Sequence, residues 1–169
     1  GKLVLHDTAQ VWVRLTEPWG EERVTKLVEG MERLEPAFGT ANQVLDRIVS
    51  GEYPLVAAAL QSQVFQAQAD GAPGRFADEV KPIISDPYAL VVPQKAKSPN
   101  AARLLMAFSL TPEGQQIWWE EAKYGSHLVP GTPIGDFSRG KEVFVTSQAF
   151  LDANADRLDT KYLKILGLK

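Results

Sequence analysis

The stretch that decides the fold is residues 51–73, GEYPLVAAALQSQVFQAQADGAP. The apolar run at residues 53–60 has the length of a strand buried on both faces, as in parallel sheets. Polarity then changes, and Ser62 is placed to cap a helix that Asp70 and Gly71 would close. A strand that ends where a helix begins presents backbone N–H groups at the carboxyl edge of the sheet, where ligands bind in open α/β folds. An ordinary strand–helix turn without a ligand explains the same pattern.

Composition and charge narrow the class of protein. The chain has 169 residues, of which 44% are hydrophobic and 23% charged, as in ordinary soluble proteins with one sizeable core or two small lobes. A net charge of -3 without a basic stripe argues against a nucleic-acid-binding protein. No apolar run approaches the ~20 residues of a membrane span, and cysteine is absent. The chain opens on a strand-like segment without a signal peptide, which is typical of a mature or truncated chain.

Hydrophobic spacing outlines the elements of the first half. Strands are predicted at residues 2–6, 53–60, 80–84 and 88–92. Helices are predicted at residues 9–13, 21–34 and 40–49 and from residue 62. Asp7 or Thr8 would cap the first helix, residues 18–20 would break it, and residues 36–39 read as a turn. This order favours a mixed α/β sheet over an all-α or all-β fold.

The half after Gln94 is predicted to be mostly helical. Helices start at Ser98 and Thr111, and a last one runs from Ser147 to about Arg157, ahead of a tail at residues 161–169. The buried face of the first of these would come from Ala102, Leu105, Met106 and Phe108. Residues 126–140 read as a long loop. Because amphipathic helices need an apolar partner, we expect either another chain or a missing part of a neighbouring lobe to cover them.

No catalytic or metal-binding set stands out. The two histidines, His6 and His127, lack the spacing of a zinc site, and no G-x-S-x-G elbow is present. Residues 71–74 are not a phosphate loop, because no Gly-Lys-Ser/Thr follows them. Trp118 and Trp119 are more typical of a core or an interface than of a sugar platform. We therefore expect a protein that is not an enzyme and carries neither cofactor nor metal.

Several segments in order resemble the type II periplasmic solute-binding proteins, the substrate-binding components of ABC importers. VLDRIVSGEYPL at residues 44–55, followed by DGAP at 70–73, is similar to their second lobe. PYALVVP at residues 87–93 resembles the strand that returns to the first lobe. KSPNAA at residues 97–102 and LTPEGQ at 110–115 resemble a pair of helices in that lobe. The resemblance covers most of the chain.

The resemblance implies how the chain is organised. Residues 1–86 would be the second α/β lobe, a mixed open sheet with flanking helices. Residues 87–169 would be a mostly helical return segment of the first lobe, whose amino-terminal half is missing from a protein roughly twice as long. A solute would bind in the cleft between the lobes, which close about the crossing strands near residues 85–87. The protein would be periplasmic or extracellular and deliver its solute to a membrane permease, without binding nucleic acid or inserting into the membrane.

The resemblance also bears on the solute. The ferric-ion-binding branch of the family carries adjacent tyrosines near the start of the helix that follows the Gly-Glu-Tyr strand. Here residues 61–65 read QSQVF, and neutral amides and a hydroxyl are poor ligands for a hard trivalent cation. Helix N-termini and hydroxyls instead suit a small polar or anionic solute such as a carboxylate, a phosphonate or a sulfate-like group.

Six polar side chains follow strand ends or begin helices, and we expect them to contact the solute. They are Asp7, Thr8, Thr40, Asn42, Gln61 and Ser62. For the hydroxyls, plain helix capping explains the pattern equally well, and the shared sheet edge is what favours ligand contact. Two other functions stay open. A ligand-sensing domain of a transcription regulator would be favoured by an upstream helix-turn-helix, whereas a signal peptide would favour the importer. A small α/β enzyme would reveal itself by turnover.

Overall fold

The computed structural model describes residues 2–77 and 79–168, so that Gly1 and Lys169, at the ends of the predicted lobes, lie outside the description together with Asp78. The elements in these ranges are β1 Leu3–His6, α1 Gln10–Trp19, α2 Glu21–Glu32, β2 Ala37–Gly39, α3 Ala41–Val49, β3 Leu55–Ala57, α4 Gln61–Ala69, β4 Ile83–Ser85, α5 Pro99–Ser109, α6 Pro112–Ala122, α7 Pro133–Ser138, β5 Val143–Val145 and α8 Gln148–Ile165. The prediction of an α/β fold is confirmed. None of the helices in these ranges combines the length and the apolar character that crossing a bilayer requires.

β1 is the central strand of a three-stranded parallel sheet with the order β2-β1-β3. Its residues Leu3, Val4 and Leu5 are at most 3% exposed. The prediction that β3 is buried on both faces is wrong, because β3 is an edge strand whose Leu55 is 57% exposed. The prediction of a turn at residues 36–39 is also wrong, because β2 forms the other edge there. β4 and β5 form a separate two-stranded sheet, so the single mixed sheet expected from the sequence is not present in the described residues.

The chain divides into two compact units, each of which is described by itself. The first comprises Gly1–Ser85 and Phe144–Lys169, and the second comprises Asp86–Val143. The sequence placed residues 87–169 together, whereas the structure groups the segment from Phe144 onward with the first unit, because α8 packs on α1 and α2. The assignment of these segments to the two lobes of a binding protein stays a prediction.

The core of the first unit is built from β1, α1, α2 and α8. Val24 and Val28 of α2 and Leu158 and Tyr162 of α8 are fully buried in it. α8 continues well past the predicted end at Arg157 and takes up most of the predicted tail. The tail is helical because its apolar side chains fill this core, a long-range contact that local spacing does not encode.

α1 continues through Pro18, where the sequence predicted a break. Proline has no N–H to donate to the carbonyl of Arg14, four residues earlier. The hydroxyl of Thr146 lies 3.4 Å from that carbonyl oxygen and partly replaces the missing bond. The helix ends at Gly20, whose φ of 81° lies in the left-handed region that favours glycine.

The second unit contains α5, α6 and α7. Its centre is polar: the buried Gln115 donates to the carbonyl of Ser109 at 2.6 Å and accepts from the backbone N–H of Ser126 at 2.5 Å. The predicted burial of Leu105 and Phe108 is wrong, because they are 64% and 42% exposed. Other large apolar side chains exposed in this unit are Tyr88, Leu90, Val91, Leu104, Leu110, Ile117, Trp118, Tyr124 and Leu128.

Two further predictions for this unit are corrected. Residues 88–92 contain no strand, because no neighbouring strand pairs with them among the described residues. The loop predicted at residues 126–140 contains the short helix α7, whose N-cap Thr132 accepts from the backbone N–H of Gly135 at 3.2 Å.

An ion-pair cluster joins α2 to α8. The carboxylate of Glu21 accepts from Arg157 at 2.9 and 3.0 Å and from Lys161 at 2.8 Å. The hydrogen bonds from Arg157, then those from Lys161, lower the pKa of Glu21 from 4.5 to about 2. Because the folded pKa lies below the unfolded one, the cluster stabilises the fold fully above pH 4.5 and loses this effect as the pH falls towards 2.

Replacing Glu21 by glutamine is therefore expected to lower the melting temperature at pH 7 by roughly 2–4 °C, an amount reduced by the solvent exposure of the pair. The deficit should shrink as the pH is lowered from 5 to 3, as measured by circular dichroism at a series of pH values. Glu22→Gln is the matched control, because Glu22 pairs with Lys26 on its own helix and is 85% exposed. Equal melting temperatures for both variants at pH 7 would show that the cluster does not stabilise the fold.

Candidate functional site

The carboxyl ends of three parallel strands meet at one edge of the first unit's sheet. His6 at the end of β1 lies opposite Gly39 of β2, and Leu5 lies opposite Ala57 of β3. α1, α3 and α4 begin soon after these strand ends. Because the first N–H groups of a helix have no partner within the helix, three sets of donors start near this edge.

All six residues predicted to contact the solute lie in the loops and first helical turns at this edge. Asp7 and Thr8 follow β1, Thr40 and Asn42 follow β2, and Gln61 and Ser62 follow β3. The backbone N–H of Asp7 donates to the carbonyl of Gly39 at 3.1 Å, which fixes the first loop against the second. Gln61 and Ser62 are half-buried, and the other four side chains are exposed. The role of all six in ligand contact stays a prediction.

Helix capping accounts for one of these side chains. The hydroxyl of Thr40 accepts from the backbone N–H of Gln43 at 3.5 Å, and the Gln43 side chain accepts from the backbone N–H of Thr40 at 2.9 Å. This reciprocal capping box confirms the predicted start of α3. Asp7 and Thr8 do not cap α1, whose N-cap is Ala9, and Ser62 lies inside α4. The capping predicted for these three side chains is wrong.

The sequence reasoning missed Gln63, which ties the starts of two helices together. Its side chain is buried, accepts from the backbone N–H of Leu60 at 3.2 Å and donates to the carbonyl of Ala41. Its side chain also lies close enough to His6 to raise the pKa of that imidazole. A glutamine at the third helical position can indicate a capping box. The sequence pattern is incomplete here, because the N-cap is Leu60, whose side chain has no oxygen to accept a hydrogen bond.

His6 is the titratable group at the centre of the edge. Its Nε2 is buried and has no hydrogen-bond partner among the described residues, and the same holds for Nε2 of Gln61. Burial lowers the pKa of His6 below its ordinary value of 6.5, while Asp7 and the nearby side chain of Gln63 act in the opposite direction. The imidazole is therefore neutral at pH 7, and Asp7 is the one ionisable side chain among the six candidate residues.

The arrangement can hold and orient a small polar molecule. It offers hydroxyls, amides and backbone donors around one carboxylate. Among the described residues of this edge, no hydroxyl is hydrogen-bonded to a histidine or a carboxylate. In residues 2–77 and 79–168, no three histidine, aspartate or glutamate side chains cluster as a metal site requires.

An open groove elsewhere on the first unit is lined by charged residues of α2 and by Lys161 of α8. Its charges pair with one another, Glu22 with Lys26 at 2.6 Å and Glu21 with Lys161 at 2.8 Å. These four charges are paired without a ligand, whereas Oγ1 of Thr25, which also lines the groove, is buried without a hydrogen-bond partner among the described residues. The groove is lined by α2 and α8 and not by the loops that follow β1, β2 and β3, so it is not assigned as the site.

The chain matches a known protein family. Residues 9–125 match the family described as bacterial extracellular solute-binding protein. A search of curated proteins and a search of solved structures each found no significant match. The family match includes α1, α3 and α4 and therefore the helices that begin at the candidate edge. Because it spans more than half of the 169 residues, the chain belongs to the family of bacterial extracellular solute-binding proteins.

Proposed function

We propose that this protein is the solute-binding component of a bacterial ABC importer of type II, and that the edge formed by β1, β2 and β3 holds the solute without changing it chemically. The observation that carries this proposal is the position of the six polar residues and three helix starts at a single sheet edge. Membership of the solute-binding family supports it. The absence of an activated nucleophile from the described edge agrees with binding rather than catalysis.

The solute is proposed to be small and polar or anionic. Helix N-termini carry partial positive charge and donate backbone hydrogen bonds, which suits carboxylate, phosphonate or sulfate-like groups. The exposed carboxylate of Asp7 opposes a strongly charged anion and favours a solute that also presents a donor. The start of the helix, where the ferric-ion-binding branch carries tyrosines, has Gln61 and Ser62 here, which argues against iron as the solute.

The protein would act outside the cytoplasmic membrane, in the periplasm or at the cell surface, and hand its solute to a membrane permease. It would neither bind nucleic acid nor insert into the bilayer. Closure is proposed to use the crossing segment near residues 85–87. The boundary of the compact units at Ser85 and Asp86 supports a hinge at this place in the chain.

The double variant Gln61→Ala/Ser62→Ala tests the site. The protein would first be screened by calorimetry against sulfate, succinate, methylphosphonate and glycine. For the solute that binds, the double variant is expected to weaken binding by about ten- to a hundredfold, because each lost hydrogen bond contributes about 0.5–1.5 kcal/mol.

The matched control is Ser50→Ala/Gln68→Ala. Ser50 follows α3 and Gln68 lies near the end of α4, so neither belongs to the candidate edge. This control should bind as tightly as the unaltered protein. Equal affinity in the double variant would remove Gln61 and Ser62 from the site, and failure of every solute to bind would count against the proposed function.

A further inference from the structure

We propose that binding of an anionic solute at this edge is coupled to protonation of His6, so that the site takes up a proton with its ligand and binds anions more tightly in mildly acidic solution. The inference rests on the proposed solute-binding function of the same edge and adds its regulation by pH.

The position of His6 makes such coupling possible. It is the last residue of the central strand, lies opposite Gly39, and directly precedes Asp7 and Thr8. Its half-buried ring lies near Gln63, whose side chain joins the starts of α3 and α4. A charge on this ring would therefore lie among the loops and helix starts that we propose bind the solute.

The protein groups around His6 accommodate a proton on its ring poorly. The imidazolium needs acceptors for both ring N–H groups, but Nε2 is buried without a partner among the described residues. Burial also removes the water that would solvate the charge. The neutral ring is therefore favoured, and its pKa lies below 6.5.

Of the charged groups near His6, Asp7 is the one that favours protonation of the imidazole. β2, β3 and α4 contain no titratable residue. Other charged side chains occur on α1 and α3. Arg14 donates to the carbonyl of Gln10, and Glu17 accepts from Ser147. Arg47 donates to the carbonyl of Phe38 beside Gly39, so its positive charge lies near this edge and opposes the proton. Asp46 is exposed on α3. Asp7 raises the pKa of His6, against the larger effect of burial.

A bound anion changes this balance. It adds a negative charge beside the carboxylate of Asp7, and the resulting repulsion is relieved when the nearby imidazole becomes a cation. Because linkage is reciprocal, an anion that raises the pKa of His6 must bind more tightly to the protonated protein. The affinity should then increase as the pH falls, by at most about tenfold per pH unit for one proton. A neutral solute would show no such dependence, and a cation would show the opposite one.

Histidine NMR can test the coupling with sulfate, whose charge is constant between pH 5 and pH 8. The protein contains two histidines, and His127 belongs to the other compact unit, so its resonance is an internal reference. Titrations would compare sodium sulfate with sodium chloride at equal ionic strength, which separates binding from screening. The backbone amides of Thr8, Asn42 and Ser62 report whether sulfate occupies the edge.

The expected result is that saturating sulfate raises the pKa of His6 and that sulfate affinity strengthens from pH 7.5 to pH 5.5. In His6→Gln the affinity should no longer vary over this range. If sulfate shifts the three amides but leaves the pKa of His6 unchanged, the coupling is wrong and the proposed binding function stands. If neither sulfate nor any other solute of the panel shifts these amides at any pH, the inference and the proposed function both fail. The comparison of sulfate with chloride uses the unaltered protein and therefore decides the question even if His6→Gln does not fold.

Discussion

Replacing Leu158 by alanine is expected to destabilise the first compact unit by about 2–5 kcal/mol, the largest effect we anticipate for a single substitution in this protein. The side chain is 0% exposed and belongs to the core that β1, α1, α2 and α8 build. Truncation removes buried apolar surface and leaves a cavity. The surrounding helices are packed against one another and against β1, so they cannot move far enough to fill it.

Urea denaturation, followed by far-ultraviolet circular dichroism, would measure the loss. Leu104→Ala is the matched control, since it makes the same change in a helix at a side chain that is 72% exposed. The control is expected to change the free energy of unfolding by no more than about 0.5 kcal/mol. Equal effects of the two substitutions would mean that α8 is not part of the core.

Replacing Gly114 by alanine is expected to disrupt the second unit. A Cβ at this position would lie 2.1 Å from the carbonyl oxygen of Phe108 and 2.9 Å from Cα of Ser109. Both contacts are with backbone, which cannot rotate away, so α5 and α6 would have to separate. Overpacking of this kind costs roughly 1–3 kcal/mol or more. Hydrogen exchange measured by mass spectrometry should show faster exchange throughout α5 and α6.

Gly30→Ala is the control, and it is expected to change the stability in the opposite direction. Gly30 lies within α2, and a Cβ there would meet no atom within 4 Å. Alanine is favoured over glycine in a helix interior by about 0.5–1 kcal/mol, so this variant should be more stable than the unaltered protein. Unchanged exchange in α5 and α6 of the Gly114→Ala variant would contradict the close packing of these two helices.

Much of the helical structure was predictable because its signals are local. The apolar spacing of Val24, Val28 and Met31 and the caps at Thr40, Thr111 and Ser147 lie within a few residues of the helices that they define. The sequence also allowed us to predict that six polar residues of the candidate site lie after strands or at helix starts.

Other features could not be predicted, because they depend on residues far apart in the chain. β2 has three residues, AFG, and is a strand only because it pairs with β1. The helical tail of α8 depends on a core that α1 and α2 supply. The hydrogen bond from Gln63 to the carbonyl of Ala41 joins the starts of α4 and α3. These two residues are 22 positions apart in the sequence and come together only in the folded protein.

The amino-acid sequence by itself determined the α/β class and most helix starts, because spacing and capping are properties of neighbouring residues. The order of its short motifs also indicated a solute-binding family. Only the tertiary structure decided which strand is central, how α1 continues past Pro18, and that His6 and Gln63 lie together at the candidate edge. The physical reason is that strand pairing, burial and the satisfaction of buried polar groups are settled between distant segments when they pack.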